Sequence, residues 1–138
     1  MRNILKGLIL SVISIMIISC GKTKMEDLSF TKGERDEVCV TKGSRPYSGD
    51  FWSNDGKTFK MTTNDYGIIQ SVSMYHPNDK LALYCPLGSD GYFNTSNMEC
   101  YDENGYRIDR HEWDKKYDSY FGSMWDRFVP KELKDAMR

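Results

Sequence analysis

Ser53-Asn54-Asp55-Gly56-Lys57, His76-Pro77-Asn78-Asp79-Lys80 and Tyr101-Asp102-Glu103-Asn104-Gly105 are three turn clusters set between stretches rich in Tyr, Phe, Val, Ile and Thr, and their reading decides the fold. Asp55-Gly56 and Asn104-Gly105 predict two-residue hairpin loops, because that turn needs positive φ at both central positions and Asn, Asp and Gly tolerate it. Pro77-Asn78-Asp79 predicts a type I turn, with proline fixing φ at its second position. Gly56 lies 23 residues before Asp79, and Asp79 lies 26 before Gly105. Recurrence on this scale marks internal repeats. Around the turns, residues 67–75 and 97–101 enter and 81–85 and 106–109 leave. They alternate only in part, as a single-layer sheet with two mixed faces requires.

Beyond the last turn the period changes. Trp113, Tyr117, Tyr120, Phe121, Met124, Trp125 and Phe128 recur at helical spacings of three and four and predict one apolar face. Val129-Pro130 ends that helix, and residues 130–134 open a short final turn with proline at its first position. The expected fold is mainly β, an antiparallel hairpin meander with a C-terminal amphipathic capping helix. A single sheet needs something to bury one face, and its last strand needs a cap. The polar side of the helix mixes both charges, whereas a membrane-binding helix carries a basic one.

At the other end, Arg2 and Lys6 are the only charges in residues 1–19, and the apolar run Leu8–Ile18 follows them. This is the plan of an export signal. From Ile4 to Ser19 there are 16 residues, fewer than the roughly 20 needed to cross a bilayer. Ile17-Ile18-Ser19-Cys20-Gly21 resembles the lipobox of bacterial lipoproteins. The resemblance implies cleavage after Ser19, lipid on Cys20 and, with Gly21 in place of Asp at the next position, an outer-membrane destination in the cell envelope. Residues 1–19 then read as signal peptide, 20–36 as lipidated cysteine and flexible tether, 37–113 as the β-meander and 114–138 as the helical cap. More than one acyl chain is needed for stable anchoring, and a lipoprotein anchor supplies them.

Pro46-Tyr47-Ser48-Gly49-Asp50-Phe51-Trp52 with Asn54-Asp55-Gly56-Lys57, then Met74 to Leu81, then Glu99 to Gly105, is similar to the MORN-variant repeats. That family implies hairpin meanders, and many of its bacterial members carry an antitoxin label. The second unit departs from the pattern with Asp79 at the turn glycine, and residues 85–96 read as an insertion.

Across the whole chain 19 Lys+Arg face 20 Asp+Glu, a formal charge of −1 over 138 residues. Removing Arg2 and Lys6 with the signal leaves 17 against 20, or −3. Without a clustered basic surface to displace counterions, nucleic acid is not an expected partner. With Cys20 assigned to lipid, Cys39, Cys85 and Cys100 predict one disulfide and one free thiol. Three pairings are open, and Cys85 with Cys100 is preferred because they flank the 86–99 excursion, whose closure stabilises by about 3 kcal/mol through chain entropy. Cys39 then reads as a buried thiol. No Cys-x-x-Cys is present to favour redox chemistry.

No catalytic residue, metal ligand or cofactor is expected. His76 and His111 are the two histidines and read as solvated, too few for a zinc set or a Ser-His-Asp series. Asp102 and Glu103 read as turn chemistry in preference to a hydrolase pair. The expectation is a non-catalytic, membrane-anchored module that binds an unidentified protein partner or serves envelope structure, through Tyr75, Tyr84, Tyr92 and Tyr101 or the 86–96 loop. The rival is an antitoxin-like or immunity-type inhibitor of a periplasmic toxin or hydrolase.

Overall fold

The three turns close alike, each by a backbone N–H three residues on: Gly56 to Ser53 O at 2.8 Å, Asp79 to His76 O at 2.9 Å and Gly105 to Asp102 O at 3.0 Å. In the computed structural model, which describes residues 21–88 and 92–137, positive φ falls only on that closing residue, +74° at Gly56, +69° at Asp79 and +89° at Gly105. Two central residues at negative φ make each a type I turn followed by a left-handed residue. The expected two-residue loops with positive φ at Asp55 and Asn104 are therefore corrected. The same turn also closes at Gly67 on Asn64 and at Asp36 on Gly33, with φ of +77° and +63°. Neither of these two was read from the sequence.

Between the turns the chain is mainly β, in two antiparallel sheets. The smaller holds β1 (Ser29–Lys32), β2 (Val38–Lys42) and β3 (Arg45–Pro46). The larger runs in sequence order through β4 (Gly49–Trp52), β5 (Phe59–Thr63), β6 (Ile69–Tyr75), β7 (Leu81–Pro86), β8 (Glu99–Tyr101) and β9 (Arg107–Ile108). Its six strands thus form one meander, with turns 53–57, 76–80 and 102–106 at the same end. Asn78 Nδ2 donates to Glu103 O at 2.7 Å and Lys80 Nζ reaches Asn104 O at 3.5 Å, tying the second turn to the third.

Alternation sends Phe51, Phe59, Met61, Val72, Leu83, Cys85 and Cys100 to one face, where all are buried. α1 (Arg110–Phe128) lies on that face. Phe59 meets Trp125 edge-on at 5.3 Å and Phe121 at 6.2 Å, and Trp113 stacks on Phe121 at 5.4 Å. The helix starts at Arg110, earlier than the expected cap boundary at 114, because the Asp109 carboxylate accepts from Glu112 N–H at 2.9 Å. It stops at Phe128, and Pro130 serves as N-cap of α2 (Lys131–Ala136), which begins one place after the expected first helical position.

The stretch expected to be a flexible tether is built into the core. Met25, Leu28 and Phe30 are buried, Met25 in a 3₁₀ turn and Phe30 in β1, with its ring 5.7 Å from Phe51. Their spacings of three and two follow a turn running into a strand, so neither single period appeared. Trp52 N–H donates to Thr23 O at 2.9 Å and Lys24 bridges Trp52 in parallel, so residues 22–24 meet the outer edge of β4 at its Trp52 end. The two sheets join where Val40 N–H donates to Gly67 O at 2.7 Å. Cys20 and the signal segment 1–19 lie outside the described residues.

Candidate functional site

With α1 on one face of the large sheet, alternation leaves a second face uncovered. Register carries one row across it, Trp52 beside Lys60, Lys60 beside Ser73, Ser73 beside Tyr84 and Tyr84 beside Glu99. Tyr101, paired with Arg107, shares that face on β8. Tyr75, displaced by a bulge between Met74 and Tyr75, brings its ring to 5.4 Å from Trp52 at 33°. Three of the four expected tyrosines, Tyr75, Tyr84 and Tyr101, are thereby placed on one face, each half-buried. Tyr92 is not: it is 58% exposed in the β7–β8 connection, at the opposite end of the strands.

A basic corner adjoins the row. Lys22 Nζ sits 4.1 Å from the Trp52 ring centroid and donates to Gly56 O at 2.9 Å. Lys60 Nζ lies 5.8 Å from both Trp52 and Tyr75, in cation–π range. Lys22, Trp52, Lys57, Tyr75 and Asp79 line a cavity of about 230 Å³ there. Trp52 stands opposite in phase to the core Phe51, so alternation alone could have drawn attention to it. Lys22 could not have been found, since its place depends on a backbone bond to residue 52 that no local pattern records.

Asp55 does not serve this corner, because its own turn consumes it. Its carboxylate accepts from Ser53 Oγ at 2.6 Å, from Thr58 Oγ1 and from the N–H groups of Lys57 and Thr58, both at 3.3 Å. Burial alone would raise its pKa, but these bonds from Ser53, Thr58 and the two amides outweigh it and hold the carboxyl below its ordinary value. A carboxyl depressed in the folded state adds stability above its unfolded pKa of about 3.9, and that stability is lost as pH falls through the folded value. Urea midpoints measured from pH 6 down to pH 2 should therefore fall below about pH 4, and less steeply in Asp55→Asn. Equal slopes would show that Asp55 is not a source of the acid sensitivity.

Of the remaining candidates, His76 and Asp102 find structural roles. His76, expected in solvent, is 4% exposed; its Nε2–H donates to Tyr101 O at 2.9 Å and its ring meets Tyr117 at 4.7 Å. His111 is exposed on α1. The Asp102 carboxylate accepts from Asn104 N–H and Tyr106 N–H, both at 2.9 Å, and Glu103 is exposed in the same turn. Cys39, Cys85 and Cys100 are free thiols, Cys39 only half-buried. Leu83, not Cys85, faces Cys100, so Cys85 is one diagonal step away. Such neighbours are about 7–8 Å apart, beyond the usual disulfide span of about 4.4–6.8 Å, which is why the expected bridge is not formed here. Burial pushes all three thiols above their ordinary pKa, with Glu37 adding to it at Cys39, and this lowers their thiolate fraction.

Among the described residues no group of three or more His, Cys, Asp or Glu side chains is placed to hold a metal ion, and no helix is long and apolar enough to cross a membrane. Comparison with protein-family models, with curated proteins and with solved structures finds no match to the chain.

Proposed function

We propose that this chain is a non-catalytic lipoprotein of the bacterial cell envelope, anchored through Cys20, that holds a protein partner on the uncovered face of its large sheet. The observation that carries this reading is the half-buried pair Tyr84 and Tyr101 on a face that α1 leaves open, with Glu99 and Arg107 beside them. Tyrosine offers a large, amphipathic contact at small entropic cost, and Arg with Tyr is the pairing from which interface hot spots are drawn. Glu99 and Arg107 form an exposed ion pair at 3.7 Å, suited to the polar margin of such a contact. Three like hairpins support the MORN-type kinship. The lipobox resemblance supports the anchor, and its Gly21 favours the outer membrane.

Photo-crosslinking in intact cells tests the reading. A benzophenone residue at position 84 or 101 should give one discrete adduct that the same probe at Lys115, on the exposed side of α1, does not give. Tyr84→Ala should weaken that complex by about tenfold or more. An envelope component in the adduct supports the structural role, and a toxin or hydrolase would replace it with inhibition. No adduct, or the same adducts from position 115, overturns the binding face. Separately, Cys20→Ser should abolish palmitate incorporation and release the protein from membranes; persistent labelling overturns the anchor.

A further inference from the structure

We infer that the Trp52 corner of the large sheet rests on the bilayer and recognises anionic phospholipid headgroups, so that the domain is held in one orientation. The inference rests on the reading of Cys20 as the lipid anchor. Lys22 is fixed to Gly56 O and Thr23 to Trp52 N–H, at 2.9 Å each. Cys20 is two residues from Lys22 in the sequence, and an extended chain covers at most about 3.6 Å per residue, so the tether from Lys22 to the acyl chains is at most about 7 Å of backbone. An anchor there brings this part of the surface to the headgroups before any other.

The chemistry of the corner fits what it would meet. Trp52 and Tyr75 are the ring types that settle at the level of the headgroups, with their apolar bodies inward and polar atoms in water. Lys22, Lys57 and Lys60 surround them, and Lys24 lies against Gly56. Among the described residues none of these four lysines is in a side-chain ion pair, whereas Lys32, Lys116 and Lys134 are. The nearby acids keep their charge but are held in hydrogen bonds within the fold: Asp55 in its turn, Asp50 with Thr62 Oγ1 at 2.8 Å and Asp27 with Lys24 N–H at 3.3 Å. Asp79 alone also lines the cavity. A processed chain of net charge −3 is repelled by an anionic surface unless a local basic cluster meets it first. Attraction near such a surface is felt within a Debye length, about 8 Å at physiological salt.

The test uses the purified full-length acylated protein, reconstituted into vesicles of phosphatidylethanolamine with phosphatidylglycerol, or of phosphatidylcholine alone. A membrane-impermeant amine reagent is applied and each lysine is read by mass spectrometry, with Lys115 and Lys116 of the same molecule as reference. Lys57 and Lys60 should react about fivefold more slowly in the phosphatidylglycerol vesicles than in phosphatidylcholine. In the double variant Lys57→Glu, Lys60→Glu, the protection of Lys22 should disappear. Acylated protein with equal rates in both vesicles, or with Lys22 still protected in the double variant, overturns the docking and leaves the anchor standing. A chain found to carry no acyl group overturns the anchor and the docking with it.

Discussion

Gly67→Ala should lower the unfolding free energy by about 2 to 4 kcal/mol, from two causes that act together. The position has φ of +77°, which an L side chain adopts at a cost of about 1–2 kcal/mol. A Cβ placed there would also lie 2.4 Å from the carbonyl oxygen of Val40 and 3.3 Å from Pro46 Cβ. Neither neighbour can swing aside, because Val40 N–H is the group that donates to Gly67 O and so joins the two sheets. Gly105→Ala is the matched control, since its φ is +89° and nothing lies within 4 Å of its added Cβ. Urea unfolding of the two variants should therefore separate the left-handed backbone from the close approach. If both lose the same amount, the junction at Val40 yields more readily than its geometry implies.

Phe59→Ala should have an effect at least as large, about 3 to 5 kcal/mol. Phe59 is 0% exposed and is the residue of β5 against which Phe121 and Trp125 of α1 rest. Truncation removes the transfer free energy of a phenyl ring and leaves a void between a sheet and a helix that cannot close onto one another. Near-ultraviolet circular dichroism should lose the Trp125 signal while the strand signal in the far ultraviolet persists. A loss below about 1 kcal/mol would mean that α1 repacks on the sheet and that the contact is adaptable.

What the sequence made legible was local. Turn chemistry at residues 53–57, 76–80 and 101–105 and the three-and-four spacing from Trp113 to Phe128 led to a mainly β chain with a C-terminal helix. Where the reading failed, the cause was distant. The burial of His76 is made by Tyr117 and Phe121, some forty positions along the chain. The offset of Cys85 from Cys100 depends on a β7–β8 register that loop composition does not encode. Met25, Leu28 and Phe30 become core through distant partners, Thr23 meeting Trp52, β1 pairing with β2 and Phe30 packing on Phe51. The candidate face was half legible: Tyr75, Tyr84 and Tyr101 could be named, but the approach of Lys22 and Lys60 to Trp52 and of Lys60 to Tyr75 needed the sheet to be assembled.

The strip of backbone at residues 22–24 has a bearing on crowding. Copies tethered to a bilayer share two dimensions, and at high surface density their encounter rate far exceeds that of the same number in bulk. A bare strand rim would then invite neighbours to stack side by side into filaments. Here one rim of the six-stranded array is met at its Trp52 end by the chain's own leading residues, and the other, β9, offers two residues, too few to template a neighbour. The stretch of chain that follows the proposed lipid site thus also narrows the rim left open to a neighbouring copy.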